Sequence, residues 1–79
     1  MIIKILGTGC PKCKLLEQSI RNVVENNQID TEIIKIQDME EIMQYDIMAL
    51  PGIVINEKVV MTGRIPDEKE LLSLLITNK

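Results

Sequence analysis

The first half of the chain alternates between the periods that distinguish strands from helices. Residues 2–6 form a nearly continuous apolar run, which predicts a buried strand. From residue 11 to residue 26, apolar residues recur at spacings of three and four, which predicts an amphipathic helix. Its apolar face comprises Leu16, Ile20, Val23 and Val24. A β-branched run at residues 31–36 predicts a second strand, parallel to the first and joined to it by a right-handed crossover.

A short second helix is predicted to start at Asp38. Asp38 with Glu41 three residues later is a capping-box pattern. The helix is expected to end near Gln44 or Tyr45, with Asp46 taking a positive φ, which aspartate tolerates better than most residues. Its apolar side is predicted to comprise Met39, Ile42 and Met43.

A hairpin and a last helix complete the pattern. Two β-branched runs, residues 53–55 and 59–61, flank a turn at residues 56–58. The last helix is predicted to start at Asp67, again with an acid three positions later, Glu70. Its buried stripe is expected to comprise Leu71, Leu72, Leu75 and Ile76, with Leu74 beside it.

The element order βαβ-α-ββα predicts an α/β fold. Four strands would form a mixed sheet with helices on both faces, and the central strands should be apolar on both sides. With 79 residues, the chain has room for one domain, residues 1–79. The core must be aliphatic, because Tyr45 is the only aromatic residue.

The composition excludes several functional classes. The formal net charge is −3 and the basic residues form no cluster, so nothing indicates binding to nucleic acid. No run of about 18 apolar residues could span a membrane. No long apolar segment near the start resembles a signal peptide, so a cytoplasmic protein is expected.

The chemistry is concentrated in Cys10-Pro11-Lys12-Cys13, which holds both cysteines of a chain that has no histidine. Pro11 suits the first turn of a helix, where its missing N–H needs no partner. A sulfur at the cap position, that of Cys10, would face the positive end of the helix dipole, which stabilises a thiolate. Cys13 is in phase with the buried stripe. The sequence therefore predicts an exposed attacking sulfur and a partly buried resolving sulfur.

The cysteine pair also has two metal-binding interpretations. Two sulfurs without histidine supply half of a zinc site, so no metal site is expected within one chain. A soft-metal chaperone using Cys10 and Cys13 as thiolate ligands is the alternative function. Such chaperones have a ferredoxin-like βαββαβ order, with a hairpin directly after the first helix, whereas this chain predicts a helix after its second strand.

With Pro51 just before the third strand, the whole chain resembles the thioredoxin superfamily and its minimal fold. The segment from Gly7 to Cys13 looks most like the small prokaryotic glutaredoxin-like thioredoxins, the group called redox-active disulfide protein 2. The resemblance implies a protein-disulfide reductase with Cys10 as nucleophile and Cys13 as resolving cysteine. A redox-active Cys10–Cys13 disulfide would take the place of a cofactor.

The resemblance also implies a groove for an extended substrate. Pro51 would be in cis, the backbone of Leu50 would pair with the substrate, and Gly63 would let the substrate backbone approach. Ile65 is expected at the apolar rim. The implied partners are proteins with disulfides and an electron donor, either glutathione or a thioredoxin reductase-like flavoprotein, and a monomer is expected.

The sequence departs from the superfamily pattern near the motif. Lys4 stands where thioredoxins have a buried aspartate, and it either extends along the strand to water or tunes Cys13. Lys12 stands where glutaredoxins usually have tyrosine, and it is either a solvated side chain or a group that stabilises the thiolate. The glutathione clamp of glutaredoxins is replaced by residues 62–65, which leaves the electron donor open.

Overall fold

The computed structural model describes residues 1–9, 11–47 and 49–78. Its elements follow in the order βαβ-α-ββα, which confirms the predicted fold class. The strands are β1 (Ile2–Leu6), β2 (Glu32–Ile36), β3 (Gly52–Ile55) and β4 (Lys58–Thr62). The helices are α1 (Pro11–Asn26), α2 (Met39–Met43) and α3 (Glu68–Thr77).

The four strands form one mixed sheet in the order β2-β1-β3-β4. Strand β1 pairs in parallel with β2 and antiparallel with β3, and β4 pairs antiparallel with β3. The two central strands are therefore β1 and β3, and β3 is buried along its whole length. Because α2 lies between β2 and the hairpin, the order is not that of the ferredoxin-like alternative.

Helices α1 and α3 cover one face of the sheet. Their apolar stripes pack on the strand residues that point to that side, and aliphatic burial supplies the main stabilisation. The buried members of this cluster are Ile3, Ile5, Leu16, Ile20, Val23, Ile53, Ile55, Leu71 and Leu75. Val24 is only half-buried. Ile76 is 55% exposed, so its predicted burial is wrong.

Helix α2 covers the other face with a smaller cluster. Ile42 of α2 packs with Leu6 and Val54 of the two central strands. The other two residues of the predicted apolar side, Met39 and Met43, are 49% and 68% exposed, so that expectation is wrong. A helix of five residues makes little more than one turn and turns only one side chain into the core.

The predicted caps and turns form, except that the Asp38 cap and the predicted 56–58 hairpin turn each differ from the prediction by one residue. The Asp67 side chain accepts a hydrogen bond from the Glu70 N–H at 2.8 Å, as the pattern predicts. The Asp38 side chain caps α2 by accepting from Glu40, one residue earlier than the predicted Glu41. Asp46 has a φ of 55°, as expected. The hairpin turn consists of two residues, 56 and 57, both at positive φ.

Candidate functional site

The link from β1 to α1 carries the cysteine motif to the end of the sheet. Pro11 is the first residue of α1, as predicted, and Cys13 lies in its first turn. Cys10 lies outside the described residues, so its cap position stays a prediction. Gly7 continues the parallel ladder by donating its N–H to the Ile36 carbonyl at 3.0 Å, which fixes the point where the chain leaves the sheet.

Cys13 is buried, with 7% of its surface exposed, as its phase on α1 predicts. Its sulfur lies against the backbone of Gly7. A Cβ added at Gly7 would stand 2.2 Å from the Cys13 Sγ, a distance that real atoms do not reach. Gly7 is therefore needed to admit the sulfur. No separate role was predicted for Gly7 from the sequence, although a glycine directly after a strand signals close approach.

The Leu50–Pro51 turn meets the same end of the sheet. The Leu50–Pro51 peptide bond is cis, as the resemblance implies, and Pro51 is buried. Leu6 pairs with Gly52 in the antiparallel ladder. Since Gly7 follows Leu6 and Pro51 precedes Gly52, the proline turn lies beside the backbone that contacts the Cys13 sulfur.

The Gly63 loop is tied to this turn by its backbone. Gly63 donates its N–H to the Pro51 carbonyl at 2.9 Å. Its φ is +82°, and a Cβ there would lie 3.1 Å from the Cβ of Ala49. Glycine is required for both reasons, the left-handed backbone and the narrow space. The turn and the loop thus form one unit beside the cysteine motif.

Two half-buried side chains flank that unit. Ile65 packs against the larger cluster between the sheet and α1/α3, and Leu50 packs against the smaller cluster under α2. Each leaves part of its surface to solvent. The structure therefore brings the residues predicted for the groove to one end of the sheet, while their role in binding stays a prediction.

Lys4 is engaged away from the cysteine motif. It lies in the middle of β1, and its ammonium group donates to the Tyr45 hydroxyl at 2.9 Å and forms an ion pair with Glu57. The hydrogen bond to Glu57, and then that to Tyr45, raise the pKa of Lys4 above its ordinary value. The ammonium thus joins β1 to the hairpin turn and to the end of α2. Its predicted influence on Cys13 stays untested.

Lys12 is exposed on the first turn of α1. Its side chain is consistent with the plain solvated interpretation, and its predicted influence on the thiolate stays untested.

A cavity of about 40 Å³ opens beside Cys13, between α1 and the end of β2. Among its lining residues are Cys13 and Glu17 of α1 together with Lys35 of β2. Glu17 is paired twice, with the Arg21 guanidinium at 2.9 Å and with the Lys35 ammonium at 3.5 Å. The hydrogen bond from Arg21, and then the charge of Lys35, hold the pKa of Glu17 below its ordinary value. The Glu17–Lys35 pair was not predicted from the sequence, because its two residues lie 18 positions apart and share no local pattern.

Within residues 1–9, 11–47 and 49–78, no group of three or more His, Cys, Asp and Glu side chains is placed to hold a metal ion. In the same part of the chain, no helix combines the length and apolar character needed to cross a membrane. The arrangement offers the chemistry of a buried cysteine sulfur at the start of a helix, beside the proline turn and the Gly63 loop.

Comparison with protein families and curated proteins places the site in context. A family model described as Thioredoxin domain matches residues 1–76. A thioredoxin of Methanocaldococcus jannaschii is 37% identical over 71 residues, covering 90% of this chain and 81% of that relative. A thioredoxin of Methanothermobacter thermautotrophicus is 36% identical over 75 residues, covering 95% of this chain and 97% of the relative.

Solved structures share the fold. The structure of thioredoxin 1 from Thermosipho africanus matches with a TM-score of 0.62 and 25% identity, and the match covers all of both chains. A thioredoxin-2, described as a component of the malaria parasite protein secretion machinery, matches with a TM-score of 0.73 over 96% of this chain and 81% of its own. At 12% identity, that second match shows the fold alone.

Proposed function

Because this chain belongs to the thioredoxin family, we propose that it is a dithiol oxidoreductase that reduces protein disulfides in the cytoplasm through Cys10 and Cys13. The observation that supports it best is the burial of the Cys13 sulfur against Gly7. Only a glycine admits the sulfur there, so the local backbone is fitted to a thiol at the start of α1. In the sequence, Cys10 directly precedes the first residue of α1 and supplies the second sulfur that a dithiol reaction needs.

The reaction is a two-electron exchange in two steps. The Cys10 thiolate attacks one sulfur of the target disulfide, forms a mixed disulfide and releases the other target sulfur as a thiolate that takes up a proton. Cys13 then loses its proton and attacks the Cys10 sulfur. The bond between Cys10 and the target breaks, the Cys10–Cys13 disulfide forms, and the target leaves fully reduced. Because the second attack is intramolecular, positioning supplies much of its rate.

The proposed substrate groove uses the unit formed by the proline turn and the Gly63 loop. An extended target segment would pair with the backbone of Leu50 by strand addition, a mode that draws affinity from main-chain hydrogen bonds. Gly63 is exposed and carries no side chain to obstruct that segment. The partly exposed Ile65 would contact the apolar side chains of the target.

Recycling requires a donor of two electrons. Either glutathione or a thioredoxin reductase-like flavoprotein would reduce the Cys10–Cys13 disulfide, and the protein would act as a monomer without nucleic acid or membrane. The proposed function needs no metal and no cofactor beyond the disulfide.

Reduction of insulin disulfides tests the proposal. The parent protein with dithiothreitol should accelerate insulin precipitation, and Cys13→Ser should abolish the multiple-turnover acceleration. Supplying NADPH with thioredoxin reductase, or with glutathione and glutathione reductase, then identifies the donor by NADPH consumption. A parent protein that leaves insulin reduction at the rate of dithiothreitol alone would overturn the proposed function.

A further inference from the structure

The cavity beside Cys13 carries an arrangement of charges that the reaction scheme does not use. Cys13 and Glu17 are four residues apart on α1, and side chains at that spacing lie on one face of a helix. Both line the same cavity of about 40 Å³. The helix periodicity and the shared cavity both place the side chains of Cys13 and Glu17 on the same side of α1.

Two cations bind the Glu17 carboxylate, one at each of its oxygens. Arg21 directs both its Nε and its terminal nitrogen at Oε2, at 3.0 and 2.9 Å, while the Lys35 ammonium lies 3.5 Å from Oε1. The Glu17 side chain is 18% exposed, whereas those of Arg21 and Lys35 are about half exposed. The carboxylate is thus the most enclosed of the three charged groups.

The charged side chains that line the cavity come from α1 and β2. Helix α1 contributes Lys14 and Glu17, and β2 contributes Lys35. Beyond β2, the cavity is lined by the neutral Gln37, and the β1 side contributes Ile5, Gly7 and Gly9. Glu17 is the one anion among these described lining residues, opposite two lysines. Removing it would leave the sulfur facing unopposed positive charge.

We propose that Glu17 and Lys35 are positioning residues that set the charge at this cavity in the reduced protein, with Glu17 disfavouring the Cys13 thiolate and Lys35 favouring it. An anion near a thiol disfavours its thiolate, and a cation favours it. Burial of Cys13 acts in the same direction as Glu17. This inference rests on the proposed function, in which a protonated Cys13 leaves the negative charge of the dithiol on Cys10. The two sulfurs then differ in their readiness to attack.

The pair offers a test in which the two substitutions act in opposite directions. In a Cys10→Ser background the Cys13 thiolate is followed by its absorbance at 240 nm against pH. The Cys10→Ser/Cys13→Ser protein gives the baseline and removes the contribution of Tyr45. Glu17→Gln should lower the pKa of Cys13, and Lys35→Gln should raise it, each by at least about 0.5 unit. A purely structural role would not move the titration in opposite directions.

Glu25→Gln is the matched control, because it removes the same charge from an exposed position of the same helix, away from the cavity. It should leave the titration within about 0.2 unit of the Cys10→Ser protein, since exposed charges more than a Debye length away are screened. If Glu17→Gln and Lys35→Gln shifted the pKa of Cys13 in the same direction, the proposal would be overturned. So would a Glu25→Gln shift as large as that of Glu17→Gln.

The titration needs no turnover, which separates this inference from the function on which it rests. Opposite shifts together with failure to reduce insulin would overturn the proposed function and support the charge assignment at Cys13. Insulin reduction together with an unchanged Cys13 pKa in Glu17→Gln would overturn the inference and leave the proposed function supported.

Discussion

Different kinds of contact stabilise the two ends of the sheet. At the end that carries the cysteine motif, side chains are absent where backbone or sulfur must approach, at Gly7 and Gly63. At the opposite end, polar side chains bind backbone groups. Asn56 accepts from the Ile2 N–H and donates to the Asn78 carbonyl, both at 3.1 Å, and Thr31 donates to the Met1 carbonyl at 3.0 Å.

Substitutions at the two ends should therefore have different consequences. Adding a methyl group at the motif end forces the sulfur or a loop to move, so it changes the geometry on which thiol exchange depends. Removing an amide at the far end leaves backbone groups without their partners but moves nothing near Cys13. Activity should therefore respond mainly at one end, and stability alone at the other.

The largest effect is expected for Gly7→Ala. Its new Cβ would collide with the Cys13 sulfur, and a displacement of about 1 Å can cost on the order of 10²-fold in rate. Overpacking should also cost about 1–3 kcal/mol of unfolding free energy. Insulin reduction and urea denaturation measure the two effects.

Gly52→Ala is the matched control for Gly7→Ala. Its added Cβ would meet the tip of the Ile47 side chain at 3.1 Å, and that tip can move. Gly52→Ala should therefore keep most of the activity. In Gly7→Ala/Cys13→Ala, removal of the sulfur should recover part of the lost stability, because the remaining Cβ of residue 13 would still lie 3.0 Å from the new Cβ. Parental activity in Gly7→Ala would refute the close fit.

Gly63→Ala should have the next largest effect. Alanine at a φ of +82° costs about 1–2 kcal/mol, and contact with the Ala49 Cβ adds to that cost. A displaced loop should raise KM for insulin more than it lowers kcat. Gly9→Ala shares the positive φ, but its nearest neighbouring atom lies 3.9 Å away, so it should be less destabilising in thermal denaturation. Equal losses of stability would show that the contact with Ala49 contributes nothing.

Asn56→Ala tests the far end. Loss of two hydrogen bonds should cost about 1–2 kcal/mol in chemical denaturation, and insulin reduction should remain at the parental rate under folding conditions. Asn56→Gly removes the same amide but tolerates the positive φ of residue 56, so it isolates the hydrogen bonds from the backbone conformation. Reduced activity in a fully folded Asn56→Gly would show that the two ends are not independent.

The smallest effect is expected for Glu70→Gln and depends on pH. The Arg64 guanidinium binds both Glu70 oxygens, at 2.9 and 2.5 Å, and holds the pKa of Glu70 below its ordinary value. The ion pair therefore stabilises the fold above the unfolded pKa of glutamate, and this contribution disappears as pH falls through the lower folded pKa. Thermal denaturation should show a small deficit for Glu70→Gln at pH 7 that shrinks as the pH is lowered below the ordinary pKa of glutamate. A deficit that persists in acid would contradict an electrostatic origin.

Much of the fold could be predicted from local pattern. The bounds of α1 and β1 match the expected ranges, because the periodicity of α1 extends over four turns and β1 is a continuous apolar run. The failures occur where the pattern is short. Met39 and Met43 flank Ile42 within about one turn, and position 76 is rotated by about 100° from Leu75. In such segments the neighbouring elements decide which residue is buried.

The candidate site was predictable in its residues but not in its contacts. The spacing of the cysteines and the position of Pro51 indicated the end of the sheet at which Cys13, the proline turn and the Gly63 loop lie together. The contact of Gly7 with Cys13, and the pairing of Glu17 with Lys35, depend on how α1 lies against β1 and β2. A single sequence does not encode those distances in any local pattern.

The most direct test of the central claim is trapping of the mixed disulfide. Cys13→Ser and Cys10→Ser are each incubated with insulin, and adducts are measured by mass spectrometry under non-reducing conditions. The account predicts that Cys13→Ser accumulates a disulfide between Cys10 and insulin, because the resolving sulfur is gone, whereas Cys10→Ser, whose remaining sulfur is buried, accumulates little. Equal trapping by both variants, or trapping mainly through Cys13, would contradict it.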